Sequence, residues 1–300
     1  MGMRQMLKES RSTERNIGMN RPKSALQVMD YRLRRAGLSA ARLMGWLVSD
    51  QWPKPVYSND TNGLKVAELS VPIARADAFA HPALEKGKRH NLELAVPYFD
   101  GLLLTPQRAL SFWRVLGRAR ESRGFSWGVE LRGGCVTPAI AGGLCLLSNA
   151  IFELAVRAGW KILERHGHSL EAVPPIPGSM PLDATVAWPD VDLVVAPSNG
   201  WARLEAKISS KGELCLTILA DQPAPRVDLE LKEQIIHRDS EQYREIDITR
   251  QINGSHEIVA HSLRRILSND EIGKTCLSCG EKNCRDRPKE AVLAALCKKS

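Results

Sequence analysis

The stretch that most constrains the fold is the apolar segment Leu144–Ala158, which follows a glycine pair and is closed by Gly159. Its length and nearly continuous apolar composition predict a buried helix, and a glycine after the last turn is typical of a helix C-terminus. One stripe of polar residues follows the helical period: Cys145, Asn149, Glu153 and Arg157. A helix of this kind must be covered by other elements of the fold.

The segments around this helix are short and strand-like. Asp183–Trp188, Ala202–Ile208 and Glu213–Ala220 are predicted strands, and Asn199-Gly200 is predicted as a hairpin turn that joins 191–196 to Ala202–Ile208. The predicted class is α+β, with a central buried helix packed on a mostly antiparallel sheet. Papain-like and transglutaminase-like folds have a comparable arrangement. An N-terminal helical arm and a C-terminal Cys-rich metal module complete the prediction.

Composition and charge divide the chain into four parts. Apolar residues make up 43%, which is enough for a sizeable core. The predicted parts are a basic, partly helical arm (1–60), the α+β domain (61–225), a charged connecting segment (226–270) and a Cys-rich tail (271–300).

The positive charge is concentrated in the arm. The formal net charge of the chain is +8, and residues 1–50 alone contain ten Lys/Arg and four Asp/Glu. Such an arm suits a polyanion, which could be a membrane surface, an anionic glycan or a nucleic acid, although a simply solvated leader has the same composition. No apolar run has the length of a membrane span, and no signal-peptide pattern opens the sequence. The expected location is cytoplasmic, with peripheral contact to a membrane.

The tail has the spacing of a metal site. Seven cysteines without a secretory pattern indicate reduced thiols, and four of them lie in the tail: Cys276, Cys279, Cys284 and Cys297. They predict a structural zinc site, with a 4Fe–4S cluster as the alternative and with His256 or His261 as a replacement for Cys297. Nucleic acid is an unlikely partner, because no recognition helix accompanies the arginines beside these cysteines.

Cys145 is the strongest candidate for a catalytic nucleophile. It occupies the first turn of the predicted helix, where unpaired N–H groups and the helix dipole lower the pKa of a thiol. His166, His168 and Asp183 follow on predicted strands, in the order that papain-like enzymes use for nucleophile, base and orienting group. The alternative is a small buried cysteine with no chemical role.

Four motifs resemble the VanW family of bacterial proteins. They are G-L-L-L-T-P-x3-L-S-F-W-x2-L-G at 101–117, G-G-L-C-L-L-S-N at 142–149, E-R-H-G-H-S at 164–169 and D-A-T-V-A at 183–187. The resemblance covers about residues 75–200 and implies an envelope- or antibiotic-related context, but no defined reaction. Two positions depart from the family pattern: Ala141 replaces its first glycine and Leu146 its glutamine.

Matched residue by residue, the family pattern falls on Gly142, Gly143, Cys145, Ser148, Arg165, His168, Ser169 and Asp183. His166 is added because alternate residues of a strand share a face, so that it points the same way as His168. The predicted catalytic residues are Cys145, His168 and Asp183, and the predicted substrate-binding residues are Gly142, Gly143, Ser148, Arg165 and His166. Three hypotheses follow. The first is a cysteine-dependent hydrolase or acyltransferase that acts on an acyl or amide bond. The second is a non-enzymatic protein that binds a small peptide or glycan, with Arg165 facing its carboxylate. The third is a metal-bearing accessory protein that docks to a partner or to nucleic acid.

Overall fold

A computed structural model describes residues 25–48, 54–60, 62–74, 82–132, 135–171, 180–238 and 240–267 of the protein. The four predicted metal ligands, Cys276, Cys279, Cys284 and Cys297, lie outside these ranges, as does the first part of the basic arm. Within them, no group of three or more His, Cys, Asp or Glu side chains could hold a metal ion.

The described ranges contain four α-helices. They are α1 (Ala25–Val48), α2 (Pro82–Ala95), α3 (Phe112–Leu116) and α4 (Cys145–Arg157). Short 3-10 turns lie at Val96–Tyr98 and Glu121–Arg123. The helix predicted from the apolar segment is thus α4, and Gly159 follows its last turn with a φ of 73°. None of the described helices combines the length and apolar character of a membrane-spanning segment.

Fourteen strands in the described ranges form four mostly antiparallel sheets. The five-stranded sheet has the order β1 (Val56–Tyr57), β3 (Leu102–Leu104), β10 (Ala202–Ile208), β11 (Glu213–Ala220) and β2 (Leu64–Pro72). The three-stranded sheet has the order β4 (Leu110–Ser111), β9 (Val194–Ala196) and β7 (Lys161–Glu164). β5 (Trp127–Arg132) and β6 (Cys135–Ile140) form a separate hairpin.

The fourth sheet lies in the charged segment that was predicted as a connector. Its order is β12 (Asp228–Arg238), β13 (Glu241–Ile252), β14 (Ser255–Ile266) and β8 (Leu170–Glu171), and only the pairing of β14 with β8 is parallel. Ile246, Ile248 and Ala260 of this sheet are buried in the same core as α4. The sheet is therefore packed against the α+β body over its described residues.

The core forms where α4 packs against β2 and β11 of the five-stranded sheet. Leu147, Ile151 and Leu154 of the helix are fully buried there, facing strand residues such as Leu214 and Ile218. Each fully buried side chain of this size contributes roughly 1.5–3 kcal/mol of transfer free energy. This confirms the predicted α+β class, in which a central buried helix lies on a mostly antiparallel sheet.

One predicted pairing is wrong. Asn199-Gly200 lies in a bend, and Gly200 has a φ of 57°, but the flanking segments do not form a hairpin. β9 pairs with β4 and β7, whereas β10 pairs with β3 and β11. The sequence signal specified a local change of direction. It did not specify the sheet that each flanking strand would join.

Candidate active site

Cys145 is the first residue of α4, as predicted, and its side chain is half-buried. Its Sγ atom lies 3.6 Å from Oγ1 of Thr185 and 4.0 Å from the carbonyl oxygen of Val186. The thiol therefore points from the helix N-terminus toward the segment 183–186.

The segment 183–186 is extended, but it is not the predicted strand. Its backbone is fastened to neighbouring side chains: Ser148 Oγ donates to Ala184 O over 2.6 Å, and Ala184 N donates to Asn149 Oδ1 over 2.7 Å. Thr185 N donates to the backbone oxygen of His166 over 2.8 Å. Ser148 and Asn149 of α4 thus hold Ala184, and with it the flanking Asp183 and Thr185, in front of Cys145. This use of side chains in place of a strand ladder explains why the prediction of a strand at Asp183–Trp188 was wrong.

His168 connects the thiol to a carboxylate. Its Nδ1 lies 2.8 Å from Asp183 Oδ2, and its backbone N–H donates to the same oxygen over 2.8 Å. The imidazole also lies close enough to Cys145 for the two groups to shift each other's pKa, and Nε2 is the ring nitrogen that Asp183 leaves available to the thiol. The structure therefore brings Cys145, His168 and Asp183 together in one cluster, with His168 hydrogen-bonded to Asp183.

Asp183 is buried and its carboxylate is fixed by two arginines. Nη2 of Arg165 lies 2.6 Å from Oδ1, and Nη2 of Arg264 donates to the same oxygen. Arg165 also donates through Nε to the backbone oxygen of Asp183 over 2.6 Å. Burial by itself raises the pKa of this carboxyl, but the charge of Arg165, the hydrogen bond from His168 and the charge of Arg264 hold its pKa well below its usual range. Asp183 is therefore ionised throughout the physiological range.

The pKa values of the thiol and the imidazole are shifted in opposite directions. Burial raises the pKa of Cys145, but the hydrogen bond and charge of His168 outweigh it and the net pKa is lowered. Burial lowers the pKa of His168, but hydrogen bonds with Asp183 and Cys145 raise it to about 10. Both shifts favour a thiolate–imidazolium pair at neutral pH, which is the form that a cysteine nucleophile needs.

His166 belongs to a different cluster. Its Nε2 lies 3.1 Å from Oε1 of Glu164, and Arg42 of α1 contacts both carboxylate oxygens of Glu164 at 2.6 Å. Asp192 is fully buried beside them, and burial together with the charge of Glu164 raises its pKa to about 7. Of the two histidines that the sequence left as alternatives, His168 is the one that faces Cys145.

The glycine pair is packed against protein. A Cβ atom added to Gly142 would lie 2.4 Å from the backbone carbon of Gly128, and one added to Gly143 would lie 2.4 Å from Lys88 Cγ. Ala141, at the position of the family's first glycine, has a φ of 62°, which costs an alanine about 1–2 kcal/mol. These residues bring the β5–β6 hairpin close to α2 and the start of α4.

Two other predicted substrate-binding residues also point inward. Ser148 is fully buried and donates to the backbone oxygen of Ala184. Arg165 is 9% exposed, and it further donates to His261 O over 2.8 Å and to Ser262 Oγ over 2.8 Å. Their contacts hold the segment that carries Asp183.

Thr185 and Arg264 are site residues that were not predicted from the sequence. Thr185 belongs to the D-A-T-V-A motif, so a signal for it was present. Arg264 lies on β14, 81 residues beyond Asp183, in a charged segment without any motif. Its contact with Asp183 depends on the packing of β14 beside the site, which the local sequence does not indicate.

Fold and site together define an α+β protein with a buried Cys–His–Asp cluster at the N-terminus of its central helix. Comparison with known proteins agrees with the resemblance noted in the sequence: residues 87–219 match the model of the family described as VanW like protein. The matched residues lie in the middle of the chain and include Cys145, His168 and Asp183. Arg264 lies outside the matched residues.

Two related proteins match the chain. One is the uncharacterized protein YoaR of Bacillus subtilis, which is 30% identical over 146 residues, 44% of this chain and 47% of YoaR. The other is the vancomycin B-type resistance protein VanW of Enterococcus faecalis, 32% identical over 114 residues, 37% of this chain and 41% of that protein. The chain thus matches less than half the length of either relative. No solved structure matches it significantly.

Proposed function

We propose that this protein is a cysteine-dependent hydrolase or acyltransferase that acts on an acyl or amide bond. The observation that supports the proposal is the cluster in which His168 is hydrogen-bonded to Asp183 and lowers the pKa of the neighbouring Cys145 thiol, while two arginines fix the Asp183 carboxylate. Nucleophile, base and orienting group in this order are the parts that acyl transfer requires.

Each group has a definite role in the proposed reaction. The Cys145 thiolate attacks the carbonyl carbon of the substrate, and a new S–C bond forms as the carbonyl electrons move to oxygen. When the tetrahedral adduct collapses, the bond to the leaving group breaks and the His168 imidazolium gives that group its proton. Water or an amine, deprotonated by the now neutral His168, then attacks the thioester and releases the thiolate.

Leu146 occupies the position at which the family pattern has a glutamine, and this difference affects which groups can stabilise the oxyanion of the proposed reaction. An apolar side chain there offers no hydrogen bond to a developing oxyanion. The Thr185 hydroxyl, 3.6 Å from the Cys145 sulfur, is a polar group in the same place, and the N-terminus of α4 adds its backbone N–H groups. Thr185 and the backbone N–H of Cys145 are the donors that we assign to this task.

The relatives suggest a biological setting for the reaction. One relative is named for vancomycin B-type resistance. An envelope- or antibiotic-related acyl or amide substrate, such as a small peptide, is therefore the substrate class that we propose for this chain.

Acylation of Cys145 by a simple activated ester tests the proposal. With p-nitrophenyl acetate at neutral pH, we expect release of one equivalent of p-nitrophenol in a burst and an acetyl group on the peptide that contains Cys145, as measured by mass spectrometry. Cys145→Ser should lose the burst, and Cys215→Ser should keep it, because the hydrogen-bonding partners of the Cys215 sulfur among the described residues are Ser70 Oγ and the backbone oxygen of Glu213. A chain that folds normally but acquires acetyl groups equally on Cys145 and Cys215 would show that the cluster does not activate its thiol.

A further inference from the structure

Helix α1 has two faces with different neighbours. Three residues fasten one face to the body of the protein: Ser39 Oγ donates to Asp190 Oδ1 over 3.1 Å, Arg42 contacts Glu164 at 2.6 Å, and the Trp46 ring lies 5.5 Å from that of Trp188. Trp46 is 7% exposed. These contacts are spaced at three and four residues, so they define a single docked face of the helix.

Between Leu33 and Leu47 the opposite face is apolar, and its described residues are exposed. It is formed by residues that recur at three- and four-residue spacing: Leu33, Ala36, Gly37, Ala40, Leu43, Met44 and Leu47. All seven are exposed, and Leu33 and Leu47 expose 66% and 78% of their surface. At 1.5 Å per residue this outer face of α1 runs for about 21 Å. A continuous exposed apolar face of that length marks an interaction surface.

The charge of the chain around this face identifies the kind of partner. Residues 1–35 contain nine Lys/Arg and three Asp/Glu, and three of the nine are Arg32, Arg34 and Arg35 within α1 itself. An apolar helix face combined with a dense group of basic residues is the composition of helices that lie in the headgroup region of anionic bilayers. A protein partner that covered only the apolar face would leave this charge without a counterpart.

We propose that α1 is a peripheral membrane-docking helix, whose outer face lies on an anionic phospholipid bilayer while Ser39, Arg42 and Trp46 hold it to the body. The apolar side chains enter the boundary between headgroups and acyl chains, and the basic residues pair with lipid phosphates. The proposal concerns a different surface from the Cys145 cluster and does not depend on the chemistry assigned to it.

Vesicle binding by the full chain tests the proposal. With vesicles of phosphatidylglycerol and phosphatidylcholine we expect co-sedimentation that weakens as salt is added, and little binding to phosphatidylcholine alone. The double variant Leu33→Gln/Leu47→Gln should weaken binding by about tenfold. Leu43→Gln/Met44→Gln is a second pair on the same face and should behave in the same way.

A matched control comes from exposed apolar residues elsewhere. Ile235 and Ile258 of the β12–β14 sheet expose 52% and 62% of their surface, so Ile235→Gln/Ile258→Gln removes similar side chains without touching α1. This control should bind vesicles as the wild type does. Unchanged binding by both α1 variants would overturn the proposal, as would a wild type that ignores anionic vesicles. It would also be overturned by a wild-type dimer in light scattering that the α1 variants convert to monomers, because the face would then be covered by a second copy of the chain.

Discussion

Replacing His168 with glutamine should slow the alkylation of Cys145 by iodoacetamide at pH 7 by about tenfold or more. The thiolate is the reacting species, and His168 supplies the hydrogen bond and the charge that offset the effect of burial on the Cys145 pKa. Without them burial dominates, the pKa rises and the thiolate fraction at pH 7 falls. Glutamine keeps a side-chain N–H that can still donate to Asp183. The rate is measured at the peptide level by mass spectrometry, with Cys215 as the internal reference.

His166 provides the matched control for this substitution. It is the same residue type, two positions away and also half-buried, but it contacts Glu164 and not the thiol. His166→Gln should leave the alkylation rate of Cys145 within about twofold of the wild type. Equal slowing by the two variants would mean that the effect arises from a general disturbance of the segment 164–168 and not from pairing with the thiol.

Replacing Arg250 with methionine should cost about 2–4 kcal/mol in the free energy of unfolding. Arg250 lies on β13 and is only 2% exposed, and its guanidinium donates to Val156 O over 3.2 Å and to Trp160 O over 2.8 Å at the end of α4. Methionine fills a similar volume but removes the donor to the buried Trp160 carbonyl and leaves the Val156 carbonyl with backbone donors such as Gly159 N–H. It also removes a positive charge from a helix C-terminus, where a cation is favourable.

Urea denaturation of the two proteins measures this loss. Arg157→Met is the control, because Arg157 pairs with Glu153 on the surface of the same helix and is half exposed, and an exposed pair of this kind contributes less than about 1 kcal/mol. A loss for Arg250→Met no larger than that of Arg157→Met would contradict the view that the β12–β14 sheet is part of the body that supports α4.

The parts of this fold that depend on local sequence were predictable. The apolar pattern that ends at Gly159 identified α4, and the position of Cys145 in its first turn followed directly. The order of Cys145, His168 and Asp183 suggested that they meet, and the structure brings them together. Each of these inferences needed only periodicity, a helix end and a motif.

The parts that depend on distant segments were not predictable. Asp183 is fixed by Arg264, 81 residues away, and the alternation of its own segment suggested a strand where side chains of α4 make the bonds instead. Gly142 was predicted to bind substrate. In the structure its lack of a side chain instead allows the backbone of Gly128 to pack against it. In each case the missing information was the identity of the neighbour in space.

The most direct test of this account is a pH titration of the Cys145 thiolate by its ultraviolet absorbance, taken as the difference between the wild type and Cys145→Ser. The difference cancels the other cysteines and requires no reagent to enter the site. We predict a midpoint clearly below about 8.5, the value of an unperturbed cysteine, and a higher midpoint in the His168→Gln background. A wild-type midpoint at or above that value would contradict the thiolate–imidazolium pair, and with it the proposed chemistry.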